Sequence, residues 1–586
     1  MKSFFKVFFA SLLALIIFFG ILFFIFIGII GRLAAHDQTT VASKSVLVID
    51  LSKHFPEQPM INPIASLRGD PDDNVPGLYS VVRLINMAAT DSSVKGIYLL
   101  ANENANGFAT SLEIRNALLA FKKSKKFLIA YGDYFSQKSY YVSTAADKIY
   151  CNPQGGLDWK GFSAQLYFIK NALKKLEIEP QIFYDGRFKS ATEPLREEKM
   201  TEANRIQTNE WLGSLYADLL MKTSESRGVD TATLHAYANA FKLRSAADAV
   251  DAGLLDGARY DDEVKDEIRR RLKIEKNDRI NFITLGSYED AVTVNRYGGS
   301  DRIALIYAEG DITYGRGDQV QIGSDDYRTL IRRARMDKAT KAIVLRVNSP
   351  GGSSIASDII WREVDLCRKE GKPIIVSMGD YAASGGYYIA CAADSIFAEP
   401  NTITGSIGVF SIIPNLQGFF NHKLGVNFDG VKTAPYADAG NIARPLTDAE
   451  KRFFQNDVDS IYADFKARVS QGRKMDPAMV DSIAQGRVWT GEKALSIGLV
   501  DKLGGIGDAL ACAARMAHLK EYSLREYPEP KSPLDLLFSN YKKYTSAQAM
   551  QKELGEEGWM MYNRINTIKQ QMGKPQARMP FDMRVE

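Results

Sequence analysis

Cysteine and histidine are both scarce in this chain. Its 586 residues include four cysteines and five histidines, with no C-x-x-C pair and no histidine-carboxylate cluster at metal-ligand spacing. A disulfide framework is therefore excluded, and we expect neither a metal nor another cofactor. The cysteines are expected to be buried thiols; they are Cys151, Cys367, Cys391 and Cys512.

The chain also lacks a charge excess of either sign. Lysine and arginine number 74 against 70 aspartates and glutamates, which leaves a formal charge of +4. Without a concentrated basic patch to meet a phosphate backbone, the sequence argues against nucleic acid as a partner. A hydrophobic content of 45% with 25% charged residues excludes a mainly disordered protein.

Only one hydrophobic run is long enough to cross a membrane. Residues 7–31 carry no charge, and at about 1.5 Å per helical residue they exceed the roughly 30 Å of a hydrocarbon core. Lys2 and Lys6 precede the run, so the positive-inside rule predicts a cytoplasmic N-terminus and a single-pass anchor within 1–44. The alternative is a cleaved secretory signal, with Ala34 and Ala35 as small residues near the cut.

Beyond the anchor, the sequence repeats itself. Residues 131–153 align without a gap on residues 378–400, with identity at ten of twenty-three positions. Further matches keep the same order at an offset near 246 residues, which predicts a tandem duplication. We therefore expect an N-terminal repeat over 45–295, a C-terminal repeat over 296–525 and a tail over 526–586 that has no counterpart.

Each repeat alternates short β-branched runs with helix-length stretches. In the second copy, KAIVLRV (341–347) and PIIVSM (373–378) flank the helical pattern of 353–371. That alternation predicts βαβ crossovers, and hence an α/β fold with a parallel sheet in each copy.

A serine distinguishes the second copy from the first. Ser384 follows the strand PIIVSM and opens a helical stretch, whereas the first copy has Gln137 at the aligned position. A nucleophile at that point would lie where a helix N-terminus favours developing negative charge. Alternatively, Ser384 is only a helix cap and the glycines after it allow close packing.

A glycine pair is likewise confined to the second copy. NSPGG (348–352) ends a predicted strand, while the first copy has NENAN (102–106) there. Such glycines can aim backbone amides at a carbonyl oxygen, as in an oxyanion hole. Because the serine and the glycine pair are missing from the same copy, we interpret both as functional.

No histidine stands out as the general base for such a serine. None of the five histidines lies in a motif, and no G-x-S-x-G is present. Lys189 of the first copy aligns with Thr433 of the second, and a lysine acts as a base when burial lowers its pKa. A lone lysine is otherwise a solvated surface charge, and the residue types alone do not choose between these readings.

Four motifs, together with the anchor and the duplication, resemble the long form of the signal peptide peptidase A (protease IV) family of membrane-anchored serine proteases. The resemblance implies a Ser/Lys dyad of Ser384 as nucleophile and Lys189 as general base. It also implies that Ser406 holds the lysine and that Gly352 and Gly385 form the oxyanion hole. The motifs are YDGRFKSATEP (184–194), VNSPGG (347–352), DYAASGGYYIA (380–390) and TGSIGV (404–409).

The same resemblance implies a crotonase-like or Clp-protease-like fold for each repeat and a homotetramer. Its substrates would be remnant signal peptides, cut at a bacterial inner membrane by repeats on the periplasmic side. Two alternatives stay open: a crotonase-type acyl-thioester enzyme and a non-catalytic membrane scaffold. Whether the dyad forms within one chain or between two also stays open.

Overall fold

The computed structural model describes residues 2–34, 40–59, 75–292, 300–317, 321–529 and 575–579. The predicted boundary at 295/296, most of the predicted tail and Ala35 lie outside these ranges. Helix α1 spans Lys2–Ala34, and its segment Phe4–Ile25 has a mean hydropathy of 2.9 with none of it buried. By length and composition this helix can cross a membrane, although a signal sequence would meet the same criterion.

The first repeat contains a six-stranded sheet in the order β6-β4-β3-β2-β1-β7. Every pairing in it is parallel. Its central strands are apolar and buried, as expected for a sheet covered on both faces. The strands up to residue 292 are β1 Ser45–Asp50, β2 Val94–Leu100, β3 Phe127–Gly132, β4 Lys148–Cys151, β5 Glu179–Asp185, β6 Gly257–Ala258 and β7 Phe282–Thr284.

The second repeat contains the same sheet. Its parallel order β18-β14-β13-β11-β8-β19 matches that of the first copy strand for strand, so the predicted duplication and α/β class are confirmed. Two additional strands, β15 and β17, extend it beside the end of β13. The strands are β8 Arg302–Glu309, β9 Asp311–Thr313, β10 Gln321–Gly323, β11 Thr340–Ser349, β12 Gly351–Ser353, β13 Ile374–Ala383, β14 Ser395–Ala398, β15 Ile403–Gly405, β16 Val409–Asn415, β17 Val488–Thr490, β18 Lys502–Leu503, β19 Ser523–Tyr527 and β20 Gln576–Arg578.

The helices repeat as well. Each copy has one long helix of 26 residues, at Glu202–Arg227 and Asp448–Arg473, both begun by a capping threonine. The other helices of the first copy are Leu78–Thr90, Phe108–Lys122, Gln137–Ser143, Lys170–Lys175, Glu193–Arg196, Thr231–Asn239, Ala246–Asp251, Asp261–Leu272 and Leu285–Ala291. Those of the second are Ser324–Met336, Ser354–Lys369, Gly385–Ala390, Pro477–Ile483, Gly491–Ser496 and Ile506–Met516, and shorter helical turns lie at Ser190–Thr192 and Phe419–Leu424.

A third sheet joins the two repeats. Its order is β10-β9-β12-β20-β16-β5, and β5 is the one strand in it from the first copy. β5 runs antiparallel to β16 over seven residue pairs, from Val409↔Asp185 to Asn415↔Glu179. The chain that follows β5 therefore enters the second repeat.

A buried ion cluster also holds the repeats together. The guanidinium of Arg346, on β11 of the second copy, is fully buried and donates to Glu57 at 2.8 Å and to Glu113 at 2.6 Å, both from the first copy. Burial raises the pKa of Glu57 above its ordinary value; the charge on Arg346 opposes this rise, and the charge on Glu113 adds to it. Unpaired, any of these charges would be costly at this depth.

Candidate active site

Ser384 lies at the junction between β13 and the helix Gly385–Ala390. Its backbone has φ 54° and ψ −112°, a positive φ that is strained for a residue with a Cβ. The side chain makes no capping hydrogen bond to the helix, so the interpretation of Ser384 as a simple helix cap is wrong. The hydroxyl is instead fully buried and faces the other repeat.

Lys189 approaches that hydroxyl from the first repeat. The loop after β5 carries it into the second copy, where its Nζ lies 2.9 Å from Ser384 Oγ across 195 residues of sequence. The same Nζ donates to the carbonyl of Ser406 at 3.0 Å and lies 3.2 Å from the Ser406 hydroxyl. The structure thus brings together, within one chain, three residues singled out from the sequence.

The environment of Lys189 disfavours its charge. The side chain is 1% exposed, and burial holds its pKa well below the ordinary value of 10.5. Among the residues that the structure describes, no carboxylate lies at ion-pair distance from Nζ to oppose that effect. The alternative of a solvated surface charge is therefore wrong for this lysine, and burial shifts its equilibrium towards the neutral amine.

Tight backbone packing fixes the lysine and Ser406 together. Phe188 donates its amide to Gln485 at 2.7 Å, and Ser406 donates its amide to Arg487 at 2.6 Å, so one short segment braces both. Between them Gly486 has φ +71°, and a methyl group built on it would lie 2.7 Å from the Cβ of Lys189. No side chain fits there without moving the lysine.

The glycine loop lies against the same serine. Gly351, with φ +103°, follows the end of β11, and a methyl group built on it would lie 2.7 Å from the amide nitrogen of Gly385. One built on Gly385 would lie 3.1 Å from the amide nitrogen of Gly352. The two amides predicted to form an oxyanion hole are therefore adjacent, with space for backbone groups alone between them.

The residues that align with Ser384 and Lys189 in the opposite repeat have different environments. Gln137, aligned with Ser384, is buried, and its side-chain oxygen accepts hydrogen bonds from the amides of Lys160 and Gly161. The first repeat therefore has a structural hydrogen bond where the second has the serine. Thr433, opposite Lys189, lies exposed in an irregular segment of the second repeat. The combination of serine, lysine and glycine loop thus forms once.

Sequence reasoning missed a supporting glutamine. Gln207, on the helix Glu202–Arg227, donates to the carbonyl of Phe188 at 3.1 Å and to Ser190 Oγ at 2.9 Å, on either side of Lys189. Its Oε1 accepts from the amide of Val488, on β17. In sequence it is one polar residue of a polar helix, and no motif marked it.

Comparisons with known proteins show related sequences over most of the chain. The sequence profile of peptidase family S49 matches the chain twice, over residues 120–275 and 367–520. Protease 4 of Salmonella typhi is 34% identical over 540 residues, which cover 89% of this chain and 87% of that protein. The chloroplastic serine protease SPPA of Arabidopsis thaliana is 34% identical over 464 residues, covering 77% and 68%.

Similarity of this extent places the chain among the proteases. More specifically, it belongs to peptidase family S49. Solved structures with some likeness include ClpP1 from Listeria monocytogenes, at TM-score 0.24 and 14% identity, covering 35% of this chain and 94% of that one. The α/β fold is shown by the two matching parallel sheets and by the double family match.

Proposed function

We propose that this protease is a serine endopeptidase with a Ser/Lys dyad formed between its two repeats. Ser384 is the nucleophile, Lys189 the general base, and Ser406 the residue that orients the lysine. The observation that carries the proposal is the 2.9 Å contact between Nζ of a buried lysine and the serine hydroxyl. Its chemistry needs no histidine, which fits a chain in which none lies in a motif.

The proposed reaction begins with the neutral amine of Lys189 accepting the hydroxyl proton of Ser384 as Oγ attacks a peptide carbonyl. The amides of Gly352 and Gly385 stabilise the oxyanion of the tetrahedral intermediate. Lys189 then gives its proton to the leaving amine. Water, activated by the same lysine, hydrolyses the acyl-enzyme.

The substrates we propose are remnant signal peptides, released from preproteins. An apolar cluster beside the serine supports a hydrophobic substrate, because Ala383, next to Ser384 in the chain, is one of its members. The other buried members are Trp211, Leu215, Ile403, Val488 and Met579. Family membership and the dyad favour this reading over an acyl-thioester enzyme or an inert scaffold.

The family resemblance and the N-terminal helix also support a proposal for the location and assembly of the protein. We propose that α1 anchors the chain in a bacterial inner membrane, with Lys2 and Lys6 in the cytoplasm, both repeats in the periplasm and four chains in one assembly. A protease added outside spheroplasts would digest the repeats if this topology holds, and digestion confined to lysed cells would contradict it. Mass photometry in detergent would count the chains.

Hydrolysis of a synthetic signal peptide by the full-length protein in detergent tests the activity. Ser384→Ala and Lys189→Ala are expected to lose turnover and, for the former, labelling by a fluorophosphonate. Ser482→Ala, an exposed serine of the same repeat, is the matched control and should keep both. Turnover that survives either dyad substitution would send the search for nucleophile or base elsewhere.

A further inference from the structure

One buried glutamine of the first repeat connects the loop that carries Lys189 to a strand of the second repeat. Gln207 is almost completely buried. Its Nε2 donates to the carbonyl of Phe188, directly before the lysine, at 3.1 Å. Its Oε1 accepts from the amide of Val488, on β17, at 3.2 Å. A single side chain thus bridges the two repeats next to the dyad.

The partners of this side chain require an amide. The carbonyl of Phe188 can only accept a hydrogen bond and the N–H of Val488 can only donate one, so the nitrogen of Gln207 faces the former and its oxygen the latter. The same nitrogen donates to the hydroxyl of Ser190 at 2.9 Å, on the far side of Lys189. A carboxylate has no donor for Phe188, and a hydrophobic side chain satisfies neither backbone group.

The second end of the bridge lies beside Ser406. In the antiparallel pairing of β15 with β17, Val488 lies opposite Gly405, the residue before Ser406. Gln207 therefore joins the backbone on both sides of Lys189 to the backbone next to Ser406. The separation of these two segments sets the contacts of the lysine Nζ with the carbonyl and hydroxyl of Ser406, at 3.0 and 3.2 Å.

Packing along the helix holds the glutamine in place. Trp211 and Leu215 follow Gln207 at intervals of four residues, so the three side chains share one face of the helix. Both belong to the buried apolar cluster that includes Val488. This face of the helix is therefore fixed against β17, and the glutamine with it.

The glutamine is confined to the copy that carries the lysine. The two 26-residue helices align at an offset of 246 residues from their capping threonines onward. At that offset Gln207 corresponds to Phe453, whose side chain is 63% exposed. The second repeat, which has the exposed Thr433 in place of Lys189, thus lacks the glutamine as well. Two residues that act together are expected to occur in the same copy.

We propose that Gln207 is a positioning residue of this protease, which fixes the lysine loop at the distance from Ser406 and Ser384 that proton transfer needs. This inference rests on the proposed dyad. Among the described residues no hydrogen bond joins Gln207 to Ser384, so its contribution to the rate passes through Lys189. Because a misplacement of about 1 Å costs about 10²-fold in rate, loss of the bridge should lower kcat about ten- to a hundredfold.

Hydrolysis of the synthetic signal peptide by the full-length protein in detergent tests this role. Gln207→Met removes both hydrogen-bonding ends, and Gln207→Glu keeps the volume and the acceptor but loses the donors. Both are expected to lower kcat by that factor with KM unchanged. Asn209→Met and Asn209→Asp, at an exposed position of the same helix, are the matched controls and should keep the wild-type kcat. Thermal unfolding shows which variants are folded, and Gln207→Glu alone suffices if Gln207→Met is not.

A double substitution shows whether the glutamine acts through the lysine. Once the amine is gone, loss of the bridge has nothing further to displace. The variant with both Lys189→Met and Gln207→Met should therefore have the same kcat/KM as Lys189→Met alone. A double variant tenfold or more slower than Lys189→Met would overturn the positioning role and assign Gln207 to the fold or to another part of the site.

The outcomes separate this proposal from the proposed function. Full turnover by Lys189→Met would break the dyad itself. Loss of turnover in Lys189→Met, with a wild-type kcat in both Gln207 variants, would overturn only the positioning role. A raised KM with an unchanged kcat in those variants would assign Gln207 to substrate binding and would likewise overturn it.

Discussion

Replacing Lys189 with methionine removes the amine while keeping a side chain of similar length in an apolar site. Because Nζ lies 2.9 Å from Ser384 Oγ, the substitution deletes the proposed proton acceptor without opening a large cavity. General-base catalysis contributes typically 10²–10⁴-fold, so kcat/KM for the synthetic signal peptide should fall by about that factor. Lys199→Met, an exposed lysine ten residues further on, should leave kcat/KM at the wild-type value.

The pH profile of wild type tests the same reasoning without a mutation. In the proposed mechanism the reactive form is the neutral amine, and burial has lowered the pKa of Lys189 from 10.5. Each pH unit below that lowered pKa should reduce kcat/KM about tenfold, equivalent to about 1.4 kcal/mol. The profile should therefore rise with pH and level off before pH 10.5, and a flat profile from pH 6 to 10 would refute Lys189 as the base.

Stability supplies an independent reading of the same pKa. Between the lowered pKa and 10.5, the unfolded chain binds a proton at this lysine that the folded chain does not. Folding stability from this group therefore rises with pH in that window, by up to about 1.4 kcal/mol per unit. The folding stability of Lys189→Met should lack this contribution. In thermal unfolding, the stability of wild type relative to Lys189→Met should therefore increase as pH rises through this window. Parallel curves would mean that the folded lysine is charged.

Three further substitutions test the surroundings of the dyad. Ser406→Ala removes the hydroxyl 3.2 Å from Nζ of Lys189; the loss of one hydrogen bond, about 1 kcal/mol, should lower kcat several-fold and shift the pH profile, with KM unchanged. Gly486→Ala should lower kcat at least tenfold through the 2.7 Å clash with the lysine, whereas Gly498→Ala, at φ +80° with 3.7 Å of clearance, should leave kcat near wild type. Arg346→Met strands two buried carboxylates and should destabilise the fold by about 3–5 kcal/mol in thermal unfolding, and an unchanged unfolding midpoint would contradict the buried ion cluster.

The duplication and its sheets were predictable because short stretches of the sequence carry the signal for both. Alternating β-branched and helical runs fix the βαβ units, and internal identity fixes their number. The serine and the glycine loop were also found by comparing the copies. The alignment with Thr433 drew attention to Lys189, but only the family resemblance implied its role, because its burial depends on β5 crossing into the second repeat.

Other parts of the site depend on contacts between distant segments. Gly486 matters because of its distance to Lys189, which no short-range pattern encodes. Gln207 is one polar side chain among many on its helix, and Arg346 reads as a charge that interrupts an otherwise buried strand. β20 was assigned no role, since the pairing of three tail residues with Gly351–Ser353 leaves no periodicity to detect.

The two copies explain why the site forms once and between repeats. The first copy supplies β5, but the residues corresponding to β16, at 163–169, form no strand there. In the second copy β16 is present, while the residues corresponding to the end of β5, at 427–429, are irregular and exposed. Each copy thus has one edge of the pair that the other lacks, and β5 satisfies its backbone groups by pairing with β16. That pairing carries Lys189 to Ser384, so neither repeat alone can assemble the dyad.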